Sequence, residues 1–303
     1  MNVLKMSIKK AIITAAGLGT RLLSATKEMP KEMLPLFVKN HNGEITLKPV
    51  LQLLFEQLHD TGFREFCFVV GRGKRSVEDH FTPDYGYVEL LLRKGKAEKA
   101  RELETFYAKL ESSTIMWINQ PEPKGFGHAV LMAKPFVADE PFIVCAGDTY
   151  VISSNHKFIH RMVKVHLKEN PKATLLLEKR QDPRIYGVVL TLSIDANIHR
   201  VLRIVEKPKV PPSNLATVPF YIFDPLIMEA LKNIGPGVGG EIQLTDAIQR
   251  LIDDGYRVYA TALEEGEERL DVGTPETYWH AIKASYERLK EDNRSPHKSH
   301  SIR

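Results

Sequence analysis

The chain predicts an α/β fold: a mainly parallel central sheet flanked by helices, with an added antiparallel portion. Three observations carry this. Apolar runs of strand length alternate with segments of helical period. Small residues crowd the loop that follows the first strand. From residue 173 onward, four strand-like runs follow one another with no helix of useful length between them. Continuous apolar strands separated by helices belong to parallel sheets covered on both faces, whereas consecutive strands joined by short turns pair as hairpins.

The strands of the parallel part are Ala11–Ala15, Phe66–Val70, Thr114–Ile118 and Pro141–Cys145, each rich in β-branched or aromatic residues. Helical spacing of apolar residues covers Leu47–Leu58 and Phe126–Ala133, and Tyr85–Leu110 reads as an inserted long helix or helical pair. The antiparallel part comprises Ala173–Leu177, Gly187–Leu192, Ile198–Val205 and Phe220–Phe223. Helices return at Pro225–Lys232 and Ile242–Asp254, followed by a strand at Arg257–Leu263 and a last helix from Pro275 to about Lys290. Asp224-Pro225 and Thr274-Pro275 each offer proline for the first helical position, where its missing N–H costs nothing. Residues 7–290 form one continuous unit, with halves at 7–170 and 171–290, and 291–303 read as a disordered polar tail. Met6 is an alternative start, since the core pattern begins at Ser7.

Composition narrows the class of function. The 303 residues give ample material for a buried core, and 42 basic against 38 acidic side chains leave only +4, spread along the chain. That balance does not make a nucleic-acid stripe. No run approaches the ~20 apolar residues that span a bilayer, and the amino end shows no signal-peptide apolar region. Two cysteines, Cys67 and Cys145, both within apolar strands, suit a reducing cytoplasm and no disulfide framework.

Chemistry enters after the first strand, at Ala16-Gly17-Leu18-Gly19-Thr20-Arg21. Glycines there let the backbone approach a ligand, and free N–H groups can cradle phosphate. A bare G-x-G reads equally as a tight turn. The dinucleotide fingerprint fails, because Leu22 stands where its third glycine belongs, and no Gly-Lys-Ser/Thr follows. The cationic company is more specific. Arg21 closes the loop, and Lys31 follows ten residues later within Pro30-Lys31-Glu32-Met33-Leu34-Pro35. Arginine forks onto phosphate oxygens and lysine acts as a point charge, a pairing suited to a polyphosphate. Alone, Lys31 reads as a solvated surface lysine.

The string A-G-L-G-T-R-x(9)-K-E-M-L-P resembles the signature of the sugar-1-phosphate nucleotidylyltransferases, most closely the bacterial-type UTP–glucose-1-phosphate uridylyltransferases, over about Lys9 to Lys290. The resemblance implies a Rossmann-like nucleotidyltransferase fold with a grafted sugar-binding half. It implies nucleotide binding by Ala15, Ala16, Gly17, Leu18, Gly19 and Thr20, with Gln120 and Gly125 at a pyrimidine base. Gln120 ends a strand five residues before Gly125-Phe126-Gly127-His128-Ala129, and an amide can both donate to and accept from a uracil imide. His128 is expected to be structural or supporting, since nothing at metal-ligand spacing joins it. Asp148, after Ala146-Gly147, and Asp271, in Leu270-Asp271-Val272-Gly273, are implied to hold Mg²⁺, although 123 residues separate them. A strand-end carboxylate suits a hard cation, and it suits a helix cap or Asx turn as well. Tyr186-Gly187 and Val205-Glu206-Lys207-Pro208 resemble the sugar-phosphate half-site, with Gly187 and Glu206 on glucose hydroxyls and Lys207 on the phosphate. Outside that context, Glu206-Lys207 is an ordinary surface ion pair.

By this resemblance the chain is an Mg²⁺-dependent enzyme that makes UDP-glucose and pyrophosphate from UTP and glucose 1-phosphate. Arg21 and the Gly17–Gly19 amides would hold the leaving pyrophosphate, Lys31 the α-phosphate and Lys207 the nucleophile. Dimers or tetramers are common among such enzymes. Ser213-Asn214-Leu215-Ala216 and Gly240-Glu241-Ile242-Gln243-Leu244-Thr245-Asp246-Ala247 favour the uridylyl branch over the thymidylyl one. Three departures bear on selectivity and assembly: Val218-Pro219-Phe220-Tyr221 replaces the usual Gly-Arg-Tyr, Leu23-Ser24 stands for Leu-Pro, and Val38–Leu47 is longer than usual. Alternatives are dTTP or another sugar 1-phosphate, and a non-catalytic regulatory subunit. Retention of Arg21, Lys31, Asp148, Lys207 and Asp271 argues against the last.

Overall fold

The computed structural model describes residues 8–195 and 197–294. In chain order the elements are β1 (Lys10–Ala15), β2 (Pro35–Lys39), β3 (Ile45–Pro49), α1 (Val50–Asp60), β4 (Glu65–Val70), α2 (Arg75–His80), α3 (Tyr85–Arg93), α4 (Ala97–Glu111) and β5 (Thr114–Asn119). There follow α5 (Phe126–Met132), α6 (Lys134–Val137), β6 (Phe142–Ala146), β7 (Thr149–Ile152), α7 (Lys157–Glu169), β8 (Ala173–Lys179), β9 (Gly187–Asp195), β10 (Ile198–Glu206) and β11 (Leu215–Phe223). The last are α8 (Ile227–Lys232), α9 (Leu244–Asp253), β12 (Val258–Ala262), β13 (Glu268–Asp271) and α10 (Pro275–Arg294).

Nine strands form one sheet in the order β5-β4-β1-β6-β11-β8-β12-β10-β9. Side chains on its apolar strands alternate between two cores, as the two-residue period of a strand requires. Ala11, Ile13, Phe66, Phe68, Ile143 and Cys145 face one core, beneath α1, α4 and α7. Ile12, Cys67, Val69, Phe142 and Val144 face the other, beneath α5, α8 and α9. Leu244, Ala247, Ile248 and Leu251 supply the buried stripe of α9 at the i, i+3, i+4, i+7 spacing of a one-sided helix. A third, smaller core gathers Leu36, Val50, Leu53, Leu270, Val272 and Ala281, joining the β2–β3 hairpin and α10 to the β7–β13 pair.

The α/β fold holds, but the expectation of a mainly parallel sheet does not. β5, β4, β1 and β6 run parallel, as do β8 and β12. β11 runs antiparallel between β6 and β8, and β10 runs antiparallel to both β12 and β9. The sheet is therefore evenly mixed. Its physical causes are two: β11 enters the middle of the sheet against its neighbours' direction, and β10 runs antiparallel between β12 and β9, adding the expected antiparallel pair at one edge.

Smaller differences have local causes. Residues 47–49 belong to β3, because Pro49 is extended and α1 starts only at Val50. The long segment at 38–47 is the end of the β2–β3 hairpin, with the turn at 40–44, and its Asn40 and His41 reach Glu102 and Glu98 of α4. Tyr85–Leu110 resolves into the pair α3 and α4. Pro225 sits in a turn ahead of α8, whereas Pro275 opens α10 as expected. α10 continues to Arg294, so residues 291–294 are helical rather than tail, and 295–303 lie outside the described residues, as do Met6 and Ser7. The α7 helix was not foreseen, although Phe158, Ile159, Met162 and Val163 recur at helical spacing. No helix among the described residues is long and apolar enough to cross a membrane, and both cysteines are free and buried.

Candidate active site

The carboxyl ends of β1, β5 and β6 open into a chamber of about 430 Å³, lined by Ala16 through Arg21, Lys31, Glu32, Gln120, Gly125 and Asp148 among others. A second chamber of about 680 Å³ lies against the β9–β10 pair and is lined by Gly187, Glu206, Lys207, Thr245, Arg269 and Asp271 among others. Arg21, Phe126, Asp148 and Glu241 line both. The two are one cleft with a charged waist.

Ala15 is the exception among the expected residues. It ends β1 with its methyl group in the core, and Thr14 and Ala16, its neighbours of opposite parity, face the chamber. The loop then turns at Gly19, whose φ of 66° is left-handed, and Thr26 Oγ1 donates to the Gly19 carbonyl at 2.8 Å. This turn delivers Arg21 to the waist.

Lys31 opens a single helical turn, Lys31–Met33, and its ammonium donates to Asp148 Oδ2. Burial by itself would depress the lysine, but the carboxylates of Asp148, Glu32 and Asp271 outweigh it and hold the ammonium above its ordinary range. Burial would likewise raise Asp148, and the Lys31 charge overrides it and holds the carboxyl low. Behind Lys31, Glu32 is 1% exposed and accepts from Lys74 Nζ at 2.7 Å. Burial is the larger effect on Glu32 and pushes its carboxyl up despite Lys74.

Asp271 meets Asp148 through the backbone. In the β7–β13 pair Asp271 stands opposite Thr149, and Val272 N donates to the Asp148 carbonyl at 3.0 Å. Burial, then the Asp148 charge, pushes the Asp271 carboxyl up. Two carboxylates whose repulsion is not fully neutralised by Lys31 make a cation-seeking position.

At the far end, Gln120 follows β5 and its Nε2 donates to the Gly125 carbonyl at 3.2 Å and to His128 Nδ1 at 2.8 Å. Its amide nitrogen is thereby committed, and the carbonyl oxygen remains for a ligand. Burial, with Lys124 nearby, holds His128 low and hence neutral, consistent with its supporting place. Gly125 has φ 104°, and a Cβ there would lie 2.7 Å from Glu241 Cβ and 2.8 Å from the Ile242 carbonyl. Only glycine fits that turn.

In the second chamber Gly187 and Glu206 are cross-strand partners. Thr245 Oγ1 donates to Glu206 Oε2 at 3.0 Å, which aims the carboxylate. Lys207 follows in the left-handed region at φ 42°, with its ammonium 3.6 Å from Glu206 Oε1 and its side chain 46% exposed. Sequence reading missed Thr14, Glu32, Glu241, Thr245 and Arg269. Thr245 and Glu241 lie inside a quoted motif and were within reach, whereas Arg269 carries no local signal.

Against known proteins, residues 10–288 match the family described as nucleotidyl transferase. The chain is 39% identical over 270 residues to a UTP–glucose-1-phosphate uridylyltransferase 2 of Staphylococcus saprophyticus, covering 88% of each chain. It is 37% identical over 286 residues to a UTP–glucose-1-phosphate uridylyltransferase of Pseudomonas aeruginosa, covering 93% of this chain and 97% of that one. Among solved structures, a UDP-glucose pyrophosphorylase complexed with UDP-glucose superposes with a TM-score of 0.80 at 31% identity, over 93% of this chain and 99% of the other. With its glycine loop, its paired aspartates and this match along nearly its whole length, the chain belongs to the nucleotidyl transferase family.

Proposed function

We propose that the protein transfers the uridylyl group of UTP to glucose 1-phosphate, giving UDP-glucose and pyrophosphate. The observation that carries this is the two-chambered cleft, with its phosphate-directed cations on both sides of an Asp148–Arg21 waist. The names borne by relatives in Staphylococcus saprophyticus and Pseudomonas aeruginosa support the choice of substrates.

The nucleophile is a phosphate oxygen of glucose 1-phosphate, already anionic at neutral pH, so the reaction calls for no general base. It attacks the α-phosphorus of UTP, the bond from that phosphorus to the bridging oxygen breaks, and pyrophosphate leaves with the electron pair. The barrier is the approach of like charges, so catalysis is positioning plus cations. Arg21 and the amides of Gly17–Gly19 bind the departing phosphates, Lys31 the α-phosphate, and Lys207 the attacking phosphate. Gln120 accepts from the uracil imide N–H, and Gly125 leaves room for the base. Gly187 and Glu206 take the sugar.

The resemblance brings Mg²⁺ with it, and the residues fit. Among the described residues no group of three or more metal-binding side chains occurs, but magnesium is commonly held by one or two carboxylates plus substrate phosphates. Asp148 and Asp271 are such a pair, and the elevated Asp271 carboxyl marks charge that a cation would relieve. Bound there, the ion supplies charge neutralisation between the reacting phosphates. The division of labour follows the halves 7–170 for nucleotide and 171–290 for sugar, with Asp271 crossing between them. A cytoplasmic setting and homo-oligomeric assembly, dimer or tetramer, complete the proposal.

The test is pyrophosphate release from UTP and glucose 1-phosphate by the wild type, Lys31→Ala and Asp148→Asn. Turnover in the wild type with severe loss in both variants is expected. Near-wild-type turnover in either variant overturns its assigned role, and an inactive wild type overturns the reaction.

A further inference from the structure

Arg269 is 6% exposed and lines the sugar chamber, yet the roles above leave it unused. Its surroundings fix it in place. Nε lies 3.0 Å from Glu178 Oε1, while the other oxygen of that carboxylate pairs with Arg180 Nη2 at 2.9 Å. One buried carboxylate thus serves two guanidinium groups, and the cluster keeps a surplus positive charge. The Arg269 guanidinium also lies 4.6 Å over the ring of Tyr186, a stacking that sets its plane. Among the described residues, its terminal nitrogens have no hydrogen-bond partner. Its Nε is buried without a hydrogen bond, Glu178 meeting it by charge alone, and the terminal nitrogens, which are not shut away in that manner, are open to an acceptor in the chamber.

The position selects the ligand. On β13, Arg269 and Asp271 are two residues apart and share one face, so Arg269 stands one strand step, about 6.6 Å, from the phosphate side. Tyr186, beneath the guanidinium, precedes Gly187, which pairs with Glu206. Arg269 is therefore on the sugar side of the chamber. Resting on the proposed reaction, we propose that Arg269 donates its fork to a ring or exocyclic hydroxyl of the hexose, opposite Glu206. A guanidinium only donates and a carboxylate only accepts, so the two would read hydroxyls of opposite role: one accepting, one donating.

The experiment compares glucose 1-phosphate with its monodeoxy and deoxyfluoro analogues, using wild type, Arg269→Met and Arg269→Lys. In the wild type, one deoxy position outside Glu206's reach should lower kcat/KM by about 10- to 100-fold, the worth of one charged hydrogen bond. Fluorine at that position, an acceptor but not a donor, should restore part of it. Arg269→Met should lose a similar factor with glucose 1-phosphate and become indifferent to that deoxy substitution, with the KM for UTP unchanged. Arg269→Lys should keep part of the discrimination. A variant that retains every deoxy penalty, or that loses activity equally on all analogues and raises the UTP KM, overturns the proposal and leaves Arg269 a packing residue. Absence of wild-type turnover with UTP and glucose 1-phosphate would instead overturn the reaction itself.

Discussion

The two chambers solve the same electrostatic problem by opposite means. In the first, Lys31 is buried and already paired with Asp148, and the Glu32–Lys74 pair backs it, although Arg21 at the waist is exposed. In the second, Lys207 is half exposed and only loosely near Glu206, at 3.6 Å. The first is charged and rigid before a ligand arrives, and the second is open to a ligand that brings its own counter-charge. Preorganised charge acts on the transition state, whereas an exposed cation on a long stem mainly captures an anion. The difference predicts that damage to the first chamber is read in kcat and stability, and damage to the second in KM.

The largest expected effect is kinetic. Lys31→Ala should lower kcat by about 10²- to 10³-fold, the scale of losing one preorganised charge donor, measured by single-turnover pyrophosphate release. Next is stability. Lys74→Met strands Glu32 in the interior and should cost about 3–5 kcal/mol in urea unfolding, whereas Lys74→Met with Glu32→Leu should recover much of it. Lys207→Ala should raise the KM for glucose 1-phosphate by about 10-fold with unfolding unchanged, since one exposed phosphate contact is lost. A comparable kcat loss for Lys207→Ala and Lys31→Ala would erase the contrast between the chambers.

The smallest effect has the most telling sign. Asp271→Asn should stabilise the ligand-free protein by about 1 kcal/mol at neutral pH, because the fold holds this carboxyl above its unfolded value. Asp148 works the other way. Its folded pKa is depressed, so its pairing stabilises above the unfolded value of 3.8 and is lost as pH falls through the lower folded value. Lys31 is raised, so its share is full below 10.5 and is lost as pH climbs through the folded value. The stability difference between wild type and Lys31→Ala should accordingly shrink as pH falls below the first limit and as it climbs above the second. Urea titrations across pH check this.

Much of the fold was legible locally. β1, β4, β5 and β6 were readable because buried parallel strands are short, apolar and β-branched, and α9 because four apolar residues keep one face. The sheet's direction was not. Phe220–Phe223 reads as a strand in any orientation, and its insertion between β6 and β8, together with the reversed β10, is what makes the sheet mixed. The 38–47 segment looked like an insertion because its partners, Glu98 and Glu102, lie far along the chain.

For the site, the amino-acid sequence by itself determined which chemical groups are available: a glycine loop at residues 17–19, two cations, Arg21 and Lys31, soon after it in the chain, and carboxylates at strand ends. Those depend on residue type and backbone preference within a few positions. Tertiary structure alone decided that Asp148 and Asp271, 123 residues apart, meet, since their junction is the β7–β13 pairing continued by the hydrogen bond from Val272 N to the Asp148 carbonyl. It also decided that Lys31 is buried rather than solvated, that Ala15 faces the core, and that Arg269 lines the second chamber. Burial and charge proximity are properties of packed neighbours, and no spacing along a chain encodes them directly.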